Sequence, residues 1–454
     1  MAEKKRDGGG LKRHMVGFET EFFILEESGA VSARADELID AANAQKLKFP
    51  VHGEYTHNAI EISSIPKVEV RKQAHVWLET MEKIIGIAGK IGLRIYPYGT
   101  YPGVHVPTPR SDRYYRMSEM VVGTDKFRNQ AGHVCGFHFH YCLPYGTFNR
   151  KTSSLRQLFR SKHKETLLSL YNVLIAADPV VTNFMESSPF LDGRHVAKDT
   201  RLFIYRAMKM KKGDGQLSGL YSEMPIFGRL PRYASALSDL IMLSEQRHGT
   251  WRELVEEKCP EYLDIVAEKH QLQFNWGPLR INRAGTFEYR GTDMNLPSHM
   301  IGTSLLLKYV LRKVKDENLT VKPSDIGIRQ PFRVEGDTVY VPPYAYLSEV
   351  LQYKSALEGL SSNEVFRYSK SMFNFAMAAV PSKKDPGLAR IKSVLASRKT
   401  RADMMLEDAL KAGQDLSGEL EDDFARWLAL RACDDFEEEV RRIGGRELAI
   451  DFEE

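Results

Sequence analysis

Alternating apolar and polar positions predict strands at several places along the chain. Residues 15–25 read MVGFETEFFIL, in which apolar and acidic side chains alternate as they do in a strand with one buried face. The same alternation recurs in residues 133–143, HVCGFHFHYCL. Further strands are predicted over residues 58–64, 94–98 and 282–291.

Helical spacing of apolar residues fills most of the intervening chain. Residues 208–230, which hold a lysine cluster and several glycines, are predicted as a loop. After residue 295 the chain is predicted to be mostly helical. Because strands and helices do not alternate strictly, we predict an α+β fold around a largely antiparallel sheet. Before residue 295, helices are predicted over residues 35–47, 68–92, 154–177, 233–245 and 261–270.

Composition narrows the class of protein. With 43% hydrophobic and 27% charged residues, the chain has the composition of a folded globular protein, which excludes wholesale disorder. A formal net charge of +4 is too small for this length to indicate a nucleic-acid or anionic-membrane partner.

Cysteine spacing and the basic N-terminal segment favour a cytoplasmic protein. The four cysteines include no Cys-x-x-Cys pair, so we expect buried, reduced thiols. The apolar stretch Ile84–Ile95 is interrupted by Lys90 and Arg94 and is shorter than the ~20 residues that a membrane helix needs. The basic N-terminus leads into glycines instead of an apolar signal core.

Three predicted strands each carry two functional side chains separated by one residue. These pairs are Glu19 with Glu21, His138 with His140, and Glu288 with Arg290. Positions i and i+2 of a strand project to the same face, so each pair points in one direction while the residue between points in the other. Each pair taken alone is equally typical of the solvated face of an antiparallel strand.

Two further carboxylates change the interpretation of these pairs. Glu54 and Glu61 lie in the segment EYTHNAIEIS, beside predicted strand residues. If these acids share one sheet face, each pair at 4 Å repels by roughly 4 kcal/mol at an effective dielectric constant near 20. A divalent cation converts that repulsion into binding, and oxygen ligands with an imidazole favour Mg²⁺ or Mn²⁺. Together with a phosphate-binding arginine, this is the apparatus of phosphoryl transfer.

Other nucleotide and hydrolase motifs are missing from the sequence. It contains no Gly-x-Ser-x-Gly nucleophile motif and no Walker A motif. It also has no Gly-x-Gly-x-x-Gly after a predicted strand. If ATP binds, it therefore binds without a P-loop, at a site dominated by metal ions.

Five short segments, in order along residues 15–295, resemble the carboxylate–amine ligases related to type 2 glutamate–cysteine ligase. The acids Glu54 and Glu61 match the Glu-x6-Glu spacing of that family. The remaining matching segments are Gly17-Phe18-Glu19-Thr20-Glu21-Phe22, Gly136-Phe137-His138-Phe139-His140, Ser188-Pro189-Phe190 with Gly193 and Arg201, and Gly285-Thr286-Phe287-Glu288-Tyr289-Arg290 with Asp293.

The resemblance implies a glutamine synthetase-like catalytic fold, with a curved sheet and helices on its outer face. It also implies that ATP activates a carboxylate as an acyl phosphate, which an amine then attacks to form an amide. By resemblance the carboxylate is the γ-carboxylate of glutamate and the amine is cysteine. The implied domain boundaries are a flexible tail at residues 1–13, a catalytic domain at 14–380 and a helical, acidic extension at 381–454.

Residue roles carry over by position in the matching segments. One Mg²⁺ is expected at Glu21, Glu54 and Glu61, and a second at Glu19, His138 and Glu288. Arg290 and Arg280 are expected to stabilise charge on the transferring phosphoryl group, with Arg283 as the alternative to Arg280. The less certain assignments are His140, as a substrate or outer contact or a sheet histidine, and Arg201, as a substrate-carboxylate contact or a surface ion pair.

One departure and two alternatives remain open. The family usually has Gly-Thr-His-Pro where this chain has Gly99-Thr100-Tyr101-Pro102, which affects the expected substrate contacts. One alternative is a phosphotransferase of the same superfamily that acts on a guanidino group. The other is a non-catalytic binding protein that retains the fold. The expected partners are small-molecule substrates, and a homo-oligomer is plausible.

Overall fold

The computed structural model describes most of the chain. The predicted tail at residues 1–13 and the end of the predicted acidic extension lie outside the described residues, as does the predicted boundary near residue 380. The residues that the structure describes are 15–64, 66–67, 69–157, 161–206, 208–212, 215–380 and 385–446.

Seven of the sixteen described strands belong to one sheet, and the other nine form three hairpins and a small sheet. The strands are β1 (Val16–Glu26), β2 (Val51–Gly53), β3 (Ala59–Ser63), β4 (Leu93–Tyr96), β5 (Gly136–Cys142), β6 (Phe148–Asn149), β7 (Ser154–Leu155), β8 (Phe190–Leu191), β9 (Arg194–His195), β10 (Lys209–Lys212), β11 (Gly215–Ser218), β12 (Leu279–Asn282), β13 (Thr286–Asp293), β14 (Thr320–Pro323), β15 (Val334–Glu335) and β16 (Thr338–Val341).

Helices fill the connections and cover the sheet. The helices are α1 (Ala35–Asn43), α2 (Val70–Lys90), α3 (Arg113–Val122), α4 (Thr124–Ala131), α5 (Lys162–Met185), α6 (Thr200–Tyr205), α7 (Pro225–Gly228), α8 (Leu237–Lys258), α9 (Leu263–Glu268), α10 (Pro297–Asp316), α11 (Asp325–Arg329), α12 (Tyr344–Tyr346), α13 (Gln352–Glu358), α14 (Asn363–Met377), α15 (Ala389–Ser397), α16 (Arg401–Lys411) and α17 (Asp422–Arg446).

The central sheet has seven strands in the order β12-β13-β5-β1-β3-β2, with β4 paired to the C-terminal half of β1. Every described pairing in this sheet is antiparallel. The predicted α+β fold with an antiparallel sheet is therefore confirmed.

One face of the sheet is apolar and covered by helices. Phe22 of β1 packs against Trp77 of α2 and Phe436 of α17, with ring centroids 6.4 and 5.3 Å apart. Phe287 of β13 packs against Tyr171 of α5 at 6.1 Å. The residues between the functional pairs thus lie against helices, as the strand periodicity predicts.

A buried carboxylate fastens β13 to the helical layer. Asp178 of α5 accepts hydrogen bonds from Arg206 at 2.7 and 2.9 Å, from the Tyr289 hydroxyl at 2.6 Å and from Gln352 at 2.8 Å. Tyr289 lies between Glu288 and Arg290 in sequence, so this network fixes the strand that carries both functional side chains.

Helix α5 begins later and ends later than predicted. It begins at Lys162, where the Ser161 hydroxyl accepts a hydrogen bond from the His163 amide at 3.2 Å, and it continues through Pro179. Carbonyls beside the proline find side-chain donors, since the Tyr368 hydroxyl donates to the Ala176 carbonyl at 2.7 Å. Among the described helices, α5 alone is long and apolar enough to cross a membrane, but 94% of its apolar window is buried, as in a core helix.

Two other predictions are corrected. Within the predicted loop 208–230, strands β10 and β11 pair as an antiparallel hairpin, in which Met210 is opposite Leu217 in the backbone register. The region after residue 295 also contains the three-stranded sheet β14-β16-β15, which the predominance of helical spacing obscured. All four cysteines are buried and none of them forms a disulfide bond, as expected.

The helices of the predicted C-terminal extension share the core of the sheet domain. Phe436 of α17 is fully buried in the same apolar cluster as Phe22 and Trp77. Arg94 of β4 also pairs with Glu437 of α17, at 2.8 Å.

We predict that Phe436→Ala lowers the free energy of unfolding by about 3–5 kcal/mol, because it opens a cavity in the shared core. Urea denaturation followed by circular dichroism measures the change. The control is Leu410→Ala on α16, which is 60% exposed and should change the value by less than about 0.5 kcal/mol. An equally small effect of Phe436→Ala would show that α17 does not stabilise the sheet domain.

Candidate active site

The register of the central strands brings the predicted functional residues together. Glu19 of β1 lies opposite His138 of β5, and Glu21 lies opposite Glu61 of β3. On the other side of β5, His140 lies opposite Glu288 of β13. When two residues are directly opposite each other on neighbouring strands, their side chains lie close together on the same face of the sheet. Residues that are far apart in sequence therefore share one polar patch.

Three carboxylates form the first cluster. Glu54, between β2 and β3, joins Glu21 and Glu61, and one carboxylate oxygen of each lies within 4.8 Å of the others. The Gly136 amide donates a hydrogen bond to Glu21 at 2.5 Å, and the Ser63 hydroxyl donates to Glu61. Burial, followed by the charges of Glu21 and Glu61, raises the pKa of Glu54 well above its usual value.

The second cluster consists of Glu19, His140 and Glu288, with one ligand-type atom from each within 4.8 Å of the others. The resemblance assigned His138 to this set. In the structure His138 lies between the two clusters, with Nδ1 3.0 Å from Glu19 and Nε2 3.3 Å from Glu21. His140 Nε2 is 3.0 Å from Glu19, so both histidines lie within reach of a bound ion.

Positive side chains compensate the second cluster, whereas in the first they act on Glu21, through His138 and Arg290, and none acts on Glu54. Burial raises the pKa of Glu288, but Arg280 and His140 outweigh it and hold the pKa at about 2. Burial likewise raises the pKa of Glu19, but His140 and His138 hold it well below its usual value. The first cluster therefore has the stronger electrostatic need for a cation.

Unpaired polar atoms in this patch fit divalent metal ions. Glu288 Oε1 is buried and accepts no hydrogen bond from any residue that the structure describes. The Nε2 atoms of His138 and His140 are also buried without a hydrogen bond, although carboxylate oxygens lie close to both. Carboxylate oxygens with imidazole nitrogens form a donor set suited to Mg²⁺ or Mn²⁺.

Two arginines border the acidic patch. Arg280 of β12 donates to Glu288 at 2.6 Å and to the Asn275 carbonyl at 3.2 Å. Arg290 Nη1 is 3.7 Å from Glu288, and the charges of Glu288 and Glu21 raise its pKa although burial opposes this. Arg283 also reaches the cleft, where it donates to the Gln273 side chain at 3.0 Å, so the structure places both candidates for the second arginine there.

The polar patch forms one wall of a cleft of about 400 Å³. The opposite side of the cleft is aromatic, and sequence reasoning did not identify it, because these residues come from separate helices and loops without a shared spacing. Tyr221 and Trp276 stack with ring centroids 6.0 Å apart. The aromatic residues that line the cleft are Tyr55, Tyr114, Tyr115, Phe127, Tyr205, Tyr221 and Trp276.

Two predicted residues lie away from the cleft. Arg201 is 5% exposed and donates to the Arg290 carbonyl at 3.3 Å, so it is neither a surface residue nor part of the cleft lining. It packs so closely on Gly136 that a Cβ there would lie 2.3 Å from its guanidinium, which requires glycine at that position. Tyr101 is also buried, and its hydroxyl donates to the Gly29 carbonyl at 2.8 Å.

Comparison with known proteins assigns the family. The sequence profile of glutamate-cysteine ligase family 2 matches residues 15–263, which is more than half of the chain. The chain belongs to this family. The match spans β1, β3 and β5, the strands that carry Glu19, Glu21, Glu61, His138 and His140.

Solved structures show the same fold at low sequence identity. A bifunctional glutathione synthetase from Pasteurella multocida aligns with a TM-score of 0.56 and 12% identity, over 94% of this chain and 53% of that one. This family member thus spans about half the length of that enzyme. A glutamate–cysteine ligase from Francisella tularensis, solved with AMP, aligns with a TM-score of 0.48 and 13% identity, over 98% and 96% of the two chains. No curated protein matches the sequence significantly.

We predict that Mg²⁺ or Mn²⁺ raises the melting temperature. A ligand that is present at a concentration about 100 times its Kd stabilises the folded state by about 2.7 kcal/mol. Glu54→Gln should lose most of this stabilisation. The metal-free variant should melt no lower than the metal-free wild type, because the substitution removes a carboxylate that two others repel.

Differential scanning calorimetry with EDTA and with added metal makes both comparisons. Glu82→Gln, an exposed glutamate on α2, is the matched control and should respond to metal as the wild type does. A metal response that Glu54→Gln leaves intact would contradict the assignment of the first cluster.

Proposed function

We propose that this protein is an ATP- and Mg²⁺-dependent ligase that activates a carboxylate as an acyl phosphate for attack by an amine. The observation that carries the proposal is that the first acidic cluster and Glu19 of the second line one cleft together with Arg280 and Arg290. Membership of glutamate-cysteine ligase family 2 supports the same class of reaction.

The proposed reaction has two steps, phosphoryl transfer to the carboxylate and attack by the amine. A substrate carboxylate oxygen forms a bond to the γ-phosphorus of ATP while the bond from that phosphorus to the bridging oxygen of ADP breaks. The amine nitrogen then attacks the acyl carbon, inorganic phosphate leaves, and the nitrogen loses a proton. When bound, metal ions held by the two clusters would neutralise charge on the phosphates of ATP.

The protein residues divide this work by charge. Glu21, Glu54 and Glu61 would hold one ion, and Glu19, His140 and Glu288 would hold the other, with His138 between them. Arg290 and Arg280 would stabilise the charge that develops on the transferring phosphoryl group, because both guanidinium groups line the cleft beside the acids. The hydrogen bonds that Arg280 donates to the Asn275 carbonyl and to Glu288 keep it oriented before substrates bind.

Glutamate and cysteine are the first substrates that we propose, since the family takes its name from that pair. Tyr101 does not argue against them, because its side chain is turned away from the cleft and bonded to Gly29. A homo-oligomer and a cytoplasmic location stay predictions.

The two alternatives predict different substrates. A guanidino phosphotransferase would consume ATP with arginine or creatine alone. Burial and the other two carboxylates of the first cluster raise the pKa of Glu54, and such perturbed pKa values are typical of catalytic sites. A non-catalytic binding protein has no need of this cluster, so its presence argues for catalysis.

We predict that phosphate release from Mg²⁺-ATP requires an acid and an amine together, and that mass spectrometry detects their amide. Glu21→Gln and Arg290→Ala should each reduce the rate by at least ~100-fold, because each removes a preorganised electrostatic group. The exposed controls Glu82→Gln and Arg252→Ala should retain wild-type rates.

Two outcomes would reject the proposal. Near-wild-type rates in both site variants would show that the cleft is not the active site. ATP consumption driven by arginine or creatine, without an amide product, would favour the guanidino phosphotransferase.

A further inference from the structure

A second cleft, of about 710 Å³, lies between α8, α12, α13 and the segment that follows α7. It shares no lining residue with the candidate active site. Its volume is within the range of small-molecule sites. The reaction proposed above uses none of the residues that line it.

The most unusual group in this cleft is the guanidinium of Arg247 on α8. Arg247 is 1% exposed, and its contacts are a hydrogen bond to the Ile226 carbonyl at 2.7 Å and one to the Asn275 side chain. No described carboxylate forms an ion pair with it. Burial lowers its pKa to about 10, which shows how poorly its charge is compensated. A buried charge without a counter-ion is costly, so an anion is the expected partner.

Two more arginines, Arg229 and Arg232, line the same cleft. Arg229 and Arg232 are exposed, and neither makes an ion pair among the residues that the structure describes. The Arg232 guanidinium lies over the Tyr344 ring, 5.1 Å from its centroid. Arg229 and Arg232 line the same cleft as Tyr344 and Arg247.

The acidic residues of the cleft, Asp239 and Glu349, form no ion pair with these arginines among the described residues. Asp239 already accepts hydrogen bonds from the backbone at Ser235 and Ala236, at 2.7 and 2.9 Å, at the start of α8. Glu349 is exposed and lies on a π-helical turn, Leu347–Leu351. Such turns are rare in proteins, and those that do occur are frequently found at functional sites. The fourth arginine of the lining, Arg206, is already paired with Asp178.

We propose that this cleft binds a phosphorylated small molecule, whose phosphate group is held by Arg229, Arg232 and Arg247. Guanidinium groups match the oxygens of phosphate in pairs, and three of them suit a dianion. The rings of Tyr171, Tyr233 and Tyr344 supply apolar and hydrogen-bonding surface for the rest of the molecule.

The contacts of Asn275 connect this cleft to the candidate active site. Its side chain accepts a hydrogen bond from Arg247, and its carbonyl accepts one from Arg280 at 3.2 Å. One residue therefore contacts both the proposed phosphate-binding arginine and an arginine of the catalytic cleft.

Calorimetric titration of the full chain with inorganic phosphate, in buffer with EDTA, tests the proposal. We expect one saturable site. The Arg229→Ala/Arg232→Ala double variant should bind phosphate at least about tenfold more weakly. Arg290→Ala, which removes a phosphate contact only from the candidate active site, should bind as the wild type does, and so should the control Arg252→Ala on the exposed side of α8.

Two further probes identify the ligand class, both titrated in the Arg290→Ala background. AMP should bind at least about tenfold more tightly than inorganic phosphate, because the tyrosines contact its organic part. Equal affinities for AMP and phosphate would overturn the assignment to a phosphorylated molecule, and malonate binding as tight as phosphate would overturn the preference for phosphate. Phosphate binding that is unchanged in the double variant, or lost in Arg290→Ala, would reject the site. Melting curves of each variant confirm that it is folded.

Discussion

Repulsion among acidic side chains on one face of an antiparallel sheet is the constraint around which the catalytic cleft is built. The register places Glu21 opposite Glu61 and Glu19 opposite His138, so the strand pairing that stabilises the sheet also concentrates negative charge. Histidines and arginines offset that charge in the second cluster. In the first cluster His138 and Arg290 act on Glu21 but no described cation acts on Glu54, which makes a divalent cation part of the expected stable state.

The helices behind the sheet hold this arrangement in place. Tyr289, between Glu288 and Arg290, is bonded to the buried Asp178 of α5, and Arg201 is bonded to the Arg290 carbonyl. The C-terminal helix α17 packs on β1 through Phe436. The strands that carry the acids are therefore fastened on their apolar face, and their polar face is free for ligands.

Strand periodicity was sufficient to predict which side chains share a face, but not which strands are neighbours. The spacing of Glu19 with Glu21 and of His138 with His140 follows from the two-residue repeat alone. Register depends on contacts between distant segments, so the sequence alone did not show that His140 also lies beside Glu19 and Glu288, and the assignment of His138 to that set stays a prediction. The aromatic wall was missed for the same reason, because Tyr114, Tyr221 and Trp276 meet only after folding. The predicted helix over residues 154–177 also ended too early, since α5 continues through Pro179 to Met185.

Anomalous diffraction from crystals grown with Mn²⁺, recorded at the manganese absorption edge, locates bound ions without relying on activity. The account predicts two peaks in the cleft, one bounded by Glu21, Glu54 and Glu61 and one beside Glu19, His140 and Glu288. A cleft with these side chains in place but no manganese peak, at a metal concentration that saturates the protein elsewhere, would contradict it.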